Sequence, residues 1–245
     1  YRRFRRYLVE LNASGYTPKT VSRRLSAIRT FFKYLNVQNV TQLNPAAATS
    51  SPKLGRDLPR KTSDSDIERL LAVCEDDPVG LRDQAFLELL YASGARIAEL
   101  ARLELADVKF SDASIRLFGK GSKERIVPLY PIALEAVDRY VREGRPALLE
   151  DACGNALFVS TRGNAMSADS LRRVFKQRAA QAGLDPSLHP HDMRHAFATD
   201  LVEGGADLRS VQEMLGHASL STTQVYTHLS LQHMKDVYKD AHPRS

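Results

Sequence analysis

The sequence contains no run of about 18 apolar residues, so no segment reads as a transmembrane helix. Its opening, YRRFRRYLVE, lacks the apolar core of a secretory leader. Cysteine is scarce: Cys74 and Cys153 are too few for a disulfide framework and lack the spacing of metal ligands. A reducing, cytoplasmic setting is therefore expected. Internal repeats and low-complexity tracts are also missing. Acidic residues run short in one place only. Residues 1–61 hold 13 Lys and Arg against two acids, Glu10 and Asp57, a net +11, while the other 184 residues hold 22 against 27, a net −5. Basicity gathered into one quarter of a chain suggests a polyanion partner, most often nucleic acid. What is present suits a folded body: of 245 residues, 43% are hydrophobic and 26% charged, values of a globular chain of one or two domains.

Two helices are expected in the first forty residues. The first covers 2–13. The second starts at Thr17, an N-cap residue, with Pro18 at the first helical position. Val21, Leu25, Ile28, Phe32 and Leu35 recur at helical spacing and form an apolar stripe. Lys19, Arg23, Ser26, Thr30 and Lys33 fall on the opposite face, which is either a solvated surface or one whose cations and hydroxyls suit phosphates and a DNA groove. Residues 46–61, AAATSSPKLGRDLPRK, have no periodicity and read as a basic linker. Ser63-Asp64-Ser65-Asp66 then resembles a capping box. Beyond it, helices are expected near 64–75, 80–93, 96–104, 131–143, 167–181, 191–203, 207–215 and 220–228. A β-hairpin is expected from 114–118 through the turn 119–124 to 125–128, with a short strand at 156–160. The chain reads as mainly α with a small β-sheet: a helical domain over 1–48, a linker over 49–61 and a larger domain over 62–245.

Four segments carry polar residues where apolar ones would be expected. In Tyr91-Ala-Ser-Gly-Ala-Arg-Ile-Ala-Glu-Leu100, Gly94 is a natural helix C-cap, and Arg96 stands one turn before Glu99. Such a pair is either a surface ion pair or a carboxylate that aims a guanidinium fork at a phosphate. In Gly119-Lys-Gly-Ser-Lys-Glu124, two glycines flank Lys120 in a turn, which serves solubility or brings an ammonium to a backbone. In His189-Pro-His-Asp-Met-Arg-His195, His191 and Arg194 share a helix face. His191 and His195 come within one letter of the zinc-protease motif H-E-x-x-H. Asp192 is a methylene shorter than the required glutamate, and Arg194 between the histidines repels a dication, so no metal is assigned. The fourth segment, Leu215-Gly-His217, is followed nine residues on by Tyr226. Arg172, Arg173 and Lys176 add a basic side to the 167–181 helix, either a solvated face or a contact to a DNA groove or backbone.

Phosphoryl transfer gives the combination a meaning. A phosphodiester under attack needs cations on its equatorial oxygens, an in-line nucleophile and an acid for the leaving oxygen. Many nucleases supply the charge with metals held by clustered carboxylates, and no such cluster stands beside these segments. Two arginines can replace the metals. A tyrosine, with an ordinary pKa of about 10, needs a base or a positive field to lose its proton.

Taken in order, A-R-x-x-E-L, G-K-G-x-K-E-R, P-H-x-x-R-H-x-x-A-T, L-G-H and the following tyrosine resemble the tyrosine recombinase (phage integrase) family. The N-terminal Y-T-P-K-T-V-x-x-x-L-S-A-I-R-x-F-F-K-Y-L and the ending T-H-L-S-L-Q-H-M-K-D-V-Y-K-D-A-H-P-R resemble its Xer type. The resemblance implies a catalytic domain preceded by a helical, SAM-like core-binding domain, here truncated, because only about half of such a domain precedes the linker. It implies that Arg96, Arg194 and His217 bind the scissile phosphate, with Glu99 as supporting acid. His191 would share the tyrosine proton, Lys120 would protonate the leaving 5′-oxygen, and Tyr226 would attack. It implies no cofactor and no membrane. It implies a double-stranded recombination site, four like or unlike protomers on two duplexes, a possible DNA-translocase activator, and roles in chromosome partition and cell division. Residues after about 229 would form a helix docked on a neighbouring protomer. An integrase of a phage or mobile element and a catalytically silent DNA-binding protein are the alternatives, the last having no need of Lys120 or Tyr226.

Overall fold

A computed structural model describes residues 2–47, 49–52, 62–119, 124–149, 154–216 and 228–245. It divides into two compact units, Tyr1–Arg60 and Lys61–Ser245.

The first unit is built on α1 (Arg2–Ala13) and α2 (Pro18–Val37). Thr17 caps α2, its hydroxyl accepting the Thr20 N–H at 3.3 Å, and Pro18 occupies the first turn, where a missing N–H costs nothing. Val21 and Leu25 are buried, and Ile28, Phe32 and Leu35 are half-buried, so the apolar stripe faces inward. Lys19, Arg23, Ser26, Thr30 and Lys33 are exposed. Thr30 is partly committed, since its hydroxyl donates to Ser26 O at 3.0 Å. The stretch read as a linker does not begin free. Arg29 donates to Ala46 O at 3.1 Å, to Ser51 Oγ at 3.0 Å and to Thr49 O, binding the chain after α2 back onto that helix.

The second unit begins with α3 (Asp64–Ala72), opened by the expected capping box. Ser63 Oγ accepts the Asp66 N–H at 3.2 Å, and Asp66 accepts the Ser63 N–H in return. At its centre lies α4 (Pro78–Ser93), apolar all round and buried almost throughout, as a helix enclosed by neighbours must be. Its few charges are paired: Asp83 lies between Arg82 and Arg178, and Glu88 takes Tyr130 and Arg244. α5 (Ile97–Leu100) is one turn long. The sequence had suggested a helix to 104. The chain leaves it early because Leu103 O and the Leu105 N–H pair with Leu157 and Asn155. That pairing consists of isolated bridges, Glu104 with Ala156 and Val159 with Ala165, rather than a strand over 156–160.

The sheet is antiparallel, ordered β1 (Val108–Lys109), β2 (Ser114–Phe118), β3 (Glu124–Pro128), with Ile115 opposite Val127 and Leu117 opposite Arg125. α6 (Pro131–Arg139) runs into a π turn over Tyr140–Gly144 and then α7 (Arg145–Leu149). Pro146 has no N–H for the carbonyl of Arg142, and the wider turn, closed by Arg145 N–H to Tyr140 O, absorbs that defect. α8 (Ala168–Gln181), α9 (Pro190–Glu203), α10 (Leu208–Leu215) and α11 (His228–Ala241) complete the unit. The expected helix at 220–228 lies outside the described residues except for its last position.

The helix expected after about residue 229 is α11. α11 packs on its own unit, against α9 and β3, with Met234, Tyr238 and Ala241 buried. The Tyr238 hydroxyl donates to Ala92 O at 2.9 Å. The apolar side of α11 finds a complementary surface within the same chain. A Cβ on Gly204 would come within 2.1 Å of Ala241 O, so only glycine admits the helix end there. His242 follows, 4% exposed, its ring among those of Tyr238, Tyr130, Tyr91 and Phe197 at 4.8–5.9 Å. Burial, aided by the charge of Arg244, pushes its pKa down to about 3. Folding therefore favours the neutral ring. Its contribution is whole above the unfolded pKa near 6.5 and is lost as pH falls toward 3. Between pH 7 and pH 4 the parent chain should lose on the order of 3 kcal/mol more stability than His242→Phe, measured by denaturant unfolding. Parallel pH profiles for the two chains would refute the assignment.

Candidate active site

α4 stops at Gly94, which adopts a left-handed conformation at φ 54°. A Cβ there would also lie 2.4 Å from the Phe197 ring, so both backbone and space require glycine. The turn brings Arg96 to the N-cap of α5 and Glu99 to its third position. Glu99 accepts the Arg96 backbone N–H at 2.8 Å through Oε2 and Arg96 Nη1 at 3.0 Å through Oε1. The Arg96 side chain stays 47% exposed while that of Glu99 is 5% exposed, so the guanidinium is anchored at one end and open at the other.

Sequence reading had missed a second cation on the same carboxylate. Arg125, buried on β3, donates to both Glu99 oxygens, at 3.0 and 2.7 Å. Burial pushes the Glu99 carboxyl upward, but the hydrogen bonds and charge of Arg125, with Arg96, outweigh that and hold it below the usual carboxylate range. One signal for Arg125 was available: paired with Leu117, it occupies a core-facing position of the hairpin where an apolar residue would be expected.

Arg194 comes from α9, 5% exposed. Its two terminal nitrogens donate to Gly94 O and Leu215 O, each at 2.6 Å. These carbonyls are the C-terminal ends of α4 and α10, the negative poles of both helices. Gly216, left-handed at φ 66°, ends α10 at that point. Burial, then the charges of Arg96 and Arg125, push the Arg194 pKa down to about 10, so it remains a cation at neutral pH.

Arg96, His191 and Arg194 line one cleft of about 630 Å³, together with Arg172, Arg173, Lys176 and His189. His191 is exposed, one turn before Arg194 on α9. Asp192 is occupied as a helix cap, accepting the His189 N–H at 2.7 Å. Among the described residues no group of three His, Cys, Asp or Glu is placed to hold a metal ion. The basic side of α8 is less free than its sequence suggested. Lys176 donates to Pro186 O and Leu188 O at 2.6 and 2.7 Å, bracing the loop before α9. Arg172 pairs with Asp169, and Arg173 donates to Ser170 Oγ at 3.2 Å. Lys120, His217 and Tyr226 lie outside the described residues.

A cleft lined by arginines and two histidines, set on a helical body with a three-stranded sheet, fits an enzyme that handles a phosphodiester. The model of the phage integrase family matches residues 60–233, and that of the N-terminal SAM-like domain of phage integrases matches residues 1–39. The chain belongs to the phage integrase family. It is 45% identical over 237 residues to the tyrosine recombinase XerC of Alcanivorax borkumensis, covering 96% of this chain and 77% of that one. It is 44% identical over 232 residues to the tyrosine recombinase XerD of Proteus mirabilis, covering 94% and 74%. Within the family it is therefore a Xer-type tyrosine recombinase, a site-specific recombinase enzyme. Among solved structures it resembles the XerA recombinase, with a TM-score of 0.60 at 26% identity over 99% of this chain and 83% of the other. It also resembles the XerH recombinase bound to a palindromic difH substrate in a post-cleavage complex, with a TM-score of 0.69 at 25% identity over 91% and 67%.

Proposed function

We propose that the chain cuts and rejoins double-stranded DNA at a specific site through a 3′-phosphotyrosyl intermediate, in Xer-type resolution of chromosome dimers. The observation that carries this is the convergence of Arg96, His191 and Arg194 on one cleft. In this reading Arg96, Arg194 and His217 hold the non-bridging oxygens. The Tyr226 oxygen bonds to phosphorus as its proton passes to His191. The bond from phosphorus to the 5′-oxygen breaks, and Lys120 gives that oxygen its proton. The phosphoester is conserved in the protein link, so a second strand's 5′-hydroxyl can reverse the step without an external energy source. Arg172, Arg173 and the open face of α2 would contact the DNA backbone, with Lys176 bracing the cleft wall. Four protomers on two duplexes, an activating DNA translocase and a cytoplasmic location belong to the same reading, as does a division into a core-binding part over 1–48 and a catalytic part over 62–245. Kinship at 44–45% with Xer recombinases supports this role over that of a mobile-element integrase.

The test is a nicked duplex that traps the intermediate, incubated with the chain in EDTA. A covalent protein–DNA adduct is expected. Cleavage that requires added divalent metal would instead point to a metal-dependent nuclease. Tight binding with no adduct would leave only a silent DNA-binding protein.

A further inference from the structure

Arg125 does not line the cleft, yet it touches Glu99, which holds Arg96, and the carbonyl next to the one that receives Arg194. It is 3% exposed. Its Nη1 and Nη2 form a fork on Glu99, and its Nε donates to Met214 O at 2.7 Å. Glu99 Oε1 is shared between Arg125 and the side chain of Arg96, and Oε2 between Arg125 and the backbone of Arg96. The four acceptor sites of that carboxylate are thus taken, two by each arginine. Met214 O is the neighbour of Leu215 O, which receives Arg194. Arg125 and Arg194 together hold successive carbonyls at the end of α10. Gly216 completes the contact: a Cβ there would stand 3.1 Å from Arg125 Cδ.

We propose that Arg125 is a positioning residue for DNA cleavage, fixing Arg96 through Glu99 and the end of α10 through Met214 O. The assignment rests on the phosphotyrosyl reading above. Its physical content is a competition for one buried carboxylate. With Arg125 in place, Glu99 can accept only one side-chain bond from Arg96, whose remaining donors stay turned to the cleft. Without Arg125, Glu99 retains one cation and two unsatisfied acceptor sites, and it draws the Arg96 fork inward. The end of α10 loses a donor at the same time. Displacements on the order of 1 Å in phosphate-binding groups cost ~100-fold in rate.

The experiment measures single-turnover adduct formation by Arg125→Lys and Arg125→Met. One substrate has an ordinary scissile phosphate. In the other a methylphosphonate removes the charge on a non-bridging oxygen. Both variants are expected to cleave the phosphate ~100-fold more slowly, with DNA affinity held, and to recover most of that loss on the neutral methylphosphonate, which has less need of placed cations. Glu99→Gln combined with Arg125→Met is expected to be no slower than Arg125→Met alone, because the two residues act through one contact. Arg125→Lys keeps a buried charge beside Glu99, so a folding failure confined to the methionine variant leaves the comparison intact. Cleavage within about threefold of the parent, equal defects on the two substrates, or additive losses in the double variant would each overturn the assignment. A parent chain that forms no adduct would instead refute the phosphotyrosyl reading itself.

Discussion

Tyr226→Phe should bind the recombination site as tightly as the parent chain and form no covalent adduct. The substitution deletes one oxygen and keeps the ring, so groove and phosphate contacts survive while the attacking atom is gone. The structure strengthens this expectation by what it does to the other tyrosines of the same unit. Tyr91, Tyr130, Tyr140 and Tyr238 are all buried. Their phenols are pushed upward, first by burial and, for Tyr91 and Tyr130, also by the carboxylates of Asp200 and Glu88. Three of them already donate their protons, to Asp200, Glu88 and Ala92 O. None is available to a phosphorus atom in the cleft. Adduct trapping on the nicked duplex, with binding followed in parallel, reads both halves of the prediction. An adduct that persists in Tyr226→Phe would move the nucleophile elsewhere, and loss of binding together with the adduct would make the variant uninformative about chemistry and the role of Tyr226 structural.

Arg194→Ala should lower the rate of adduct formation by ~10³-fold or more, the scale of a lost arginine at a phosphoryl-transfer centre. The effect on stability should be small, for a reason that lies in the site. Keeping this charge buried between Arg96 and Arg125 costs the folded state on the order of 3 kcal/mol, as its lowered pKa implies. Truncation removes that cost but leaves Gly94 O and Leu215 O without their donor, at about 1–3 kcal/mol each. The two effects oppose each other, and the melting temperature should fall by no more than about 10 °C. Arg194→Lys should rescue little, since an ammonium has no planar fork to span two carbonyls and still face a phosphate. Paired single-turnover rates and thermal melts test this. Near-parent cleavage rates would show that Arg194 is a structural brace alone, and a variant that melts far below the parent would refute the offset.

Much of this architecture was legible where the determining interactions are local. Thr17 with Pro18, Ser63 with Asp66, Gly94 as a helix end and Arg96 with Glu99 are all contacts within four residues. Capping chemistry and helical spacing specify them directly. The hairpin was legible too, because strand propensity on both flanks and glycines in the turn agree with each other. What escaped depends on contacts between distant segments. Arg125 meets Glu99 across 26 residues and Met214 across 89. Lys176 reads as a free surface cation until the loop ending at Leu188 folds beneath it. The helix expected at 96–104 was cut short by pairing with residues 155–157, which no local propensity encodes. His242 looks like a polar tail residue and is in fact enclosed by four aromatic rings.

The seat of α11 is made wholly of groups this chain supplies: the Ala92 carbonyl, the bare backbone at Gly204 and the aromatic walls around His242. A second copy presents an identical seat and an identical helix. Trading helices between copies would make every contact again with the same atoms, so the exchange is nearly isoenergetic. Any preference between self-occupied and traded arrangements would then have to come from contacts outside the seat itself.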